Sequence, residues 1–213
     1  MTTIYLIRHS TRFDHKVISS YYTSQSELIK NEKDILSIEG EERARKLSEE
    51  QELEHIDKVY VSNCVRTLQT AKYLLDKYHL SVTIDERLDE RRVGKPNDSK
   101  YPDWFVRQYQ DKSFKTEGGE SQEDVCQRMN EVIHEIINEN SDKRIAIFSH
   151  GYAICFYLLQ FANLEYIDNQ KNVKIVYKDK VLLDGQLNAP DVFRLMIDGD
   201  TVVDIDHIVF EDL

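Results

Sequence analysis

The chain has 213 residues, 40% of them hydrophobic and 31% charged, with a formal net charge of -11. This is the composition of a soluble globular chain, and residues 1–213 are expected to form one domain with a substantial core. The negative charge argues against nonspecific binding to nucleic acid or anionic membranes, which rests on basic patches. No apolar stretch approaches the roughly 20 residues of a spanning helix. Cys64, Cys126 and Cys155 lack C-x-x-C spacing, so neither a disulfide framework nor a zinc knuckle is expected. Only Ile4-Tyr5-Leu6-Ile7 precedes Arg8, too short a run for a signal peptide, and the expected setting is a reduced cytoplasm.

Short apolar runs alternate with longer stretches of helical spacing, which predicts an α/β fold of three layers (α/β/α) around a mainly parallel sheet. A strand is expected over 3–8, then a helix over 38–51, a strand over 57–61 and a helix over 64–78. A shorter strand is expected over 82–84. Ser121 followed by Glu123 and Asp124 places acids in the first turn of a helix over 121–139. Its Val125, Met129, Val132, Ile133 and Ile136 recur at helical spacing, a core face. A strand over 144–149 and a helix over 151–162 follow. The chain ends in a hairpin, 192–197 and 202–205, joined through Asp198-Gly199-Asp200. Two segments carry little regular signal, 10–34 and 91–120. Each follows a candidate site position, and both are expected to form rim or lid loops.

Arg8-His9 stands at the end of the first strand and Ser149-His150-Gly151 at the end of the strand over 144–149. Ligands of parallel α/β sheets bind at the carboxyl ends of strands, so the two histidines point to one site. After the strand over 57–61, Ser62 opens a helix with Arg66 in its first turn. A helix N-terminus attracts anions, and an arginine there adds a bidentate clamp for phosphate. Leu88-Asp89-Glu90-Arg91-Arg92-Val93-Gly94 supplies a carboxylate loop.

With these motifs in this order, the chain resembles the histidine phosphatase superfamily, the phosphoglycerate mutase-like family, over nearly its full length. The opening Arg-His-Gly of the family appears as Arg8-His9-Ser10, and its Leu-Thr-x-x-Gly helix start as Leu36-Ser37-Ile38-Glu39-Gly40. Its Ser-x-x-x-Arg-x-x-x-Thr-Ala signature is Ser62, Arg66 and Thr70-Ala71, and its acid loop is Leu88, Glu90 and Gly94. Gly118-Gly119-Glu120-Ser121, Ser149-His150-Gly151 and Asn188-Ala189-Pro190 complete the series. The resemblance implies a phosphomonoester hydrolase with His9 as nucleophile, forming a phosphohistidine. Arg8, Arg66 and His150 would surround the phosphoryl oxygens, the Gly151 N–H would add a donor, and Glu90 would protonate the leaving alcohol. No cofactor or metal is called for. The partner is a small phosphorylated substrate, with sugar phosphates, phosphoglycerates, nucleotides and phosphotyrosine all open.

Two positions depart from the family pattern. Ser10 replaces a glycine that lets backbone approach the phosphate, which serine allows only at negative φ. Arg12 either adds a cation to the pocket, binds the leaving group or pairs with Asp14. A set of metal ligands drawn from His9, Asp14, His15 and His150 has no spacing to support it. Within the family a phosphoglycerate mutase is the rival. The mutases' Arg-His-Tyr-Gly stretch is absent after Glu90, where the chain reads Arg91-Arg92-Val93-Gly94-Lys95-Pro96-Asn97. An idle phosphate-binding module is the rival of another class, and it would have no use for the proton donor Glu90.

Overall fold

The computed structural model describes residues 1–13, 31–95 and 101–211. Its main sheet has six strands in the order β3-β2-β4-β1-β8-β9. These are β1 (Thr2–Arg8), β2 (Lys58–Val61), β3 (Val82–Ile84), β4 (Arg144–Ser149), β8 (Asp191–Asp198) and β9 (Thr201–Ile208). β1, β2, β3 and β4 run parallel to their neighbours in this group, whereas β8 is antiparallel to both β1 and β9. The fold is thus the expected α/β architecture on a mainly parallel sheet.

Strand residues alternate between two cores, as the period of two requires. Ile4, Leu6, Tyr60, Ile145 and Ile147 pack on one face against α4 (Gln122–Glu139) and α5 (Gly151–Leu158). Tyr5, Ile7, Val59, Val61, Ala146 and Phe148 face α1 (Ile38–Leu47) and α2 (Val65–Tyr78) on the other. The chain therefore leaves β1 toward one layer and β4 toward the opposite one. Since β1 and β4 are neighbours, a crevice opens between their carboxyl ends, the topological switch point where such sheets bind ligands.

Several expected boundaries move. The first helix stops at Leu47 instead of 51, and a 3-10 turn over Gln51–Leu53 follows. The helix after β4 ends at Leu158, not 162. Ser121 caps α4 through a reciprocal capping box with Asp124. The last hairpin is longer than expected and turns at Gly199, whose φ is 58°. The 91–120 segment is not loop throughout, because Trp104–Gln110 forms α3. A separate three-stranded antiparallel sheet, β5 (Asn163–Ile167), β6 (Val173–Tyr177) and β7 (Lys180–Gly185), was not expected at all. The rim segment predicted at 10–34 lies mostly outside the described residues. No helix among those described is long and apolar enough to cross a membrane.

Candidate active site

A cavity of about 790 Å³ opens over the carboxyl ends of β1 and β4, and Arg8, His9, Arg66, Glu90 and Gly151 all line it. The register that pairs Arg8 with Ser149 brings the residues following each strand together. The rings of His9 and His150 then meet edge to face with centroids 5.2 Å apart.

His9 is buried, and its Nδ1 lies 2.7 Å from the carbonyl of Ser10. A carbonyl only accepts, so Nδ1 carries the proton and Nε2 keeps its lone pair. Burial, then the charges of Arg66 and Arg8, push His9 well below the ordinary imidazole range. The ring is therefore neutral at pH 7, as an attacking nitrogen must be.

Arg66, 1% exposed, sits in the first turn of α2 and reaches inward. Its Nη1 donates to the Asn31 carbonyl and its Nη2 to Asn31 Oδ1 at 3.2 Å and to His150 Nδ1 at 2.9 Å. Because a guanidinium only donates, His150 accepts at Nδ1 and donates from Nε2 to Ser62 Oγ at 2.8 Å. Burial and then the Arg66 charge hold this ring neutral as well. His150 is fully buried and is not part of the cavity wall, with both nitrogens engaged by protein. Arg8 donates through Nη1 to the carbonyls of Leu187 and Asn188 at 2.6 and 3.0 Å. The Nε of Arg8 and that of Arg66 are buried donors without a hydrogen-bond partner among the described residues.

Glu90 lies at the N-terminus of α5. Its Oε1 accepts from the N–H groups of Arg91, Tyr152 and Ala153 at 2.9, 3.1 and 3.1 Å. Its Oε2 has only the Tyr152 N–H at 3.4 Å. The carboxyl group is thereby held chiefly through Oε1. Gly151 is the first residue of the helix and lines the cavity. Arg8 sits beside it: a Cβ at Gly151 would lie 3.5 Å from Arg8 Nε, an ordinary van der Waals contact.

The two departures from the family pattern resolve differently. Ser10 has no positive φ, and its N–H donates to Thr70 Oγ1 at 3.0 Å. Its Oγ is buried without a partner, away from the cavity wall. Arg12 does line the cavity, with its Nη1 3.4 Å from Asp34. Asp14 and His15 lie outside the described residues. Among those described, one trio could hold a metal ion: Cys64, Asp89 and His150, with ligand atoms within 4.8 Å of one another.

Several contributors were not singled out in the sequence. Asn31 grips Arg66 from within a stretch without regular signal. Arg91, 2% exposed, lines the cavity while donating to the Glu120 carbonyl at 2.7 Å and to Gln108 Oε1 at 2.5 Å. Nothing in the sequence separates it from its exposed neighbour Arg92. Lys171, Val173, Leu183 and Leu187 form a wall from the unexpected small sheet and its exit.

The structure is similar to a mycobacterial glucosyl-3-phosphoglycerate phosphatase in complex with inorganic phosphate, at 17% identity and a TM-score of 0.67 over 98% of this chain and 96% of that one. It is also similar to Bacillus stearothermophilus YhfR (21% identity, TM-score 0.64, covering 95% and 94%). A third similar structure is Entamoeba histolytica phosphoserine phosphatase in complex with 3-phosphoglyceric acid (16% identity, TM-score 0.63, 97% of both chains). The model of the histidine phosphatase superfamily (branch 1) matches residues 4–175, most of the chain, and the sheet, the crevice and the ordered motifs agree with it. The chain belongs to the histidine phosphatase superfamily, branch 1.

Proposed function

We propose that the protein hydrolyses phosphomonoesters through a phosphohistidine on His9. The observation that carries this reading is the orientation of His9, whose Nδ1 is committed to the Ser10 carbonyl so that a neutral Nε2 is left at the cavity. Nε2 forms a bond to phosphorus as the ester P–O bond breaks, and Glu90 Oε2 delivers its proton to the departing alcohol. Water then attacks phospho-His9, giving its proton back to Glu90, and inorganic phosphate leaves with the N–P bond broken.

Charge on the phosphoryl oxygens is met by Arg8, Arg66 and the Gly151 N–H. Both arginines line the cavity, and each also carries a buried Nε without a partner among the described residues. His150 holds Arg66 in place through Nδ1, and Ser62 in turn holds His150. Every group in this scheme is a side chain or backbone donor of the chain itself. Phosphate and phosphorylated small molecules are named with the similar structures, in keeping with a small phosphorylated substrate here.

Release of inorganic phosphate from p-nitrophenyl phosphate in the presence of EDTA tests the reading. Wild type is expected to turn over, and His9→Ala to lose at least about a thousandfold, the scale of removing a catalytic nucleophile. A phosphoryl donor should leave an acid-labile, base-stable label on wild type alone. Equal rates in the two proteins, or a label on His9→Ala, would overturn the assignment, and transfer to a second acceptor without phosphate release would mark a mutase.

A further inference from the structure

Charge in the cavity exceeds what one phosphoryl group uses. On the rim, Arg12, Arg92 and Lys95 each face a carboxylate: Asp34 at 3.4 Å, Glu120 at 3.7 Å and Glu117 at 2.8 Å. Arg8 and Arg66 are held by neutral groups at the phosphoryl end. Lys171 fits neither set. It lines the cavity from the turn between β5 and β6 and has no ion pair among the described residues. Lys171 is exposed at the cavity mouth, so its ammonium stays hydrated and is available to an anion that enters the cavity.

The turn that carries Lys171 is firmly built. Oδ1 of Asp168 accepts from the N–H groups of Gln170 and Asn172 at 2.8 and 3.0 Å. Its Oδ2 accepts from Asn172 Nδ2 at 2.9 Å and from the Tyr166 hydroxyl at 3.0 Å. These four bonds occupy the carboxylate, so Asp168 is taken up by the turn itself. They also hold Lys171 at a φ of 70°, a conformation L-residues rarely adopt. Gln186 Nε2 donates to the Gln170 carbonyl at 2.9 Å, tying the turn to the segment whose next two carbonyls grip Arg8. One stretch of backbone thus sets both Lys171 and a phosphoryl-end arginine. Arg91 lines the same cavity and adds a further positive charge to it.

We propose that the substrate's leaving group carries a second anionic group, a carboxylate or another phosphate, and that Lys171 receives it. Specificity would then reside in the small sheet, whose Val173 and Leu183 line the cavity beside the lysine. The proposal rests on the phosphomonoester reading and narrows its substrate class.

Calorimetric binding to His9→Ala, which holds substrate without turnover, tests it with two matched pairs. The first is 3-phosphoglycerate against glycerol 3-phosphate, which differ by a carboxylate. The second is fructose 1,6-bisphosphate against fructose 6-phosphate, which differ by a phosphate. At least one pair should show about a tenfold preference for the more anionic member, the scale of a charge-assisted contact. The pair that shows it identifies the second group. Lys171→Gln in the same background should bring the ratio close to one, and Lys171→Arg should restore it. Equal affinities within both pairs, or a preference that survives Lys171→Gln, would overturn the proposal. Neither outcome touches the phosphatase reading, which is judged by turnover of p-nitrophenyl phosphate, an ester whose leaving group carries no second anionic group.

Discussion

At the scale of single residues, the site works by committing atoms. His9 commits Nδ1 to the carbonyl of the next residue, Glu90 commits Oε1 to its neighbour and to the start of α5, and His150 commits both nitrogens to Arg66 and Ser62. His9 and Glu90 line the cavity, each with its second polar atom left over. For Glu90 this has a testable consequence. Glu90→Gln preserves an acceptor for the N–H groups of Arg91, Tyr152 and Ala153, so the N-terminus of α5 stays satisfied. Only the proton is lost. Hydrolysis of alkyl phosphates, whose alkoxide leaves poorly, should fall by about 10²–10⁴-fold, the range of general acid catalysis, while p-nitrophenyl phosphate should fall far less. Steady-state kcat on the two ester classes checks this, and equal losses on both would remove Glu90 from the proton-donor role.

At the scale of elements, the close approach of α1 to the loop after β1 decides how well that loop is placed. Ser37 caps α1 by accepting from the Gly40 N–H at 2.9 Å, and its own N–H donates to the Thr11 carbonyl at 3.0 Å. Gly40 packs directly on that carbonyl, where a Cβ would overlap the Thr11 oxygen. Gly40→Ala should therefore push Thr11, two residues beyond His9, and destabilise the fold by about 1–3 kcal/mol, the usual cost of overpacking. Urea denaturation together with kcat measures both effects; an unchanged midpoint would show that the helix yields freely. Gly40 was visible in the sequence as part of a helix-start motif, although its packing reason was not. The same holds more widely. The parallel strands were legible because buried strands read as continuous apolar runs bounded by site residues. The small sheet was harder to see: in β5 only Leu164 and Ile167 lean on the core, and most of the strand is exposed. Yet β6 carries a plain alternation, with Val173, Ile175 and Tyr177 buried, and that signal was available. The aromatic run Trp104-Phe105 gives no period by which to tell a seven-residue helix from a strand. Roles for His9, Arg66 and Glu90 followed from motif order, whereas the contacts of Asn31 and Lys171 depend on tertiary placement that no local pattern encodes.

At the scale of the whole molecule, the buried neutral histidines tie stability to pH. His9 and His150 both have imidazole pKa values depressed well below the ordinary 6.5, chiefly by burial. In the unfolded chain each takes up a proton as pH falls through that ordinary value, while the folded protein does not. Stability is thus fully present above about pH 6.5 and declines below it, by about 1.4 kcal/mol per pH unit for each proton that only the unfolded chain binds. Asp89 acts in the opposite direction. Burial raises its carboxyl from 3.8 to about 6, so below that value the folded protein binds a proton that the unfolded chain takes up only near 3.8. Two protons therefore set the slope just under pH 6.5, and close to one sets it from about 6 downward. Between about pH 7 and pH 5 the protein should lose about 2 kcal/mol, read as a lower urea midpoint at constant m-value. A midpoint that holds or rises over this interval would contradict neutral burial of the two rings. The catalytic consequence runs the other way: because folded His9 resists protonation, kcat/KM should show no acid limb near 6.5. Acid inactivation should instead follow the unfolding transition, as it must when the nucleophile keeps its lone pair for as long as the fold surrounds it.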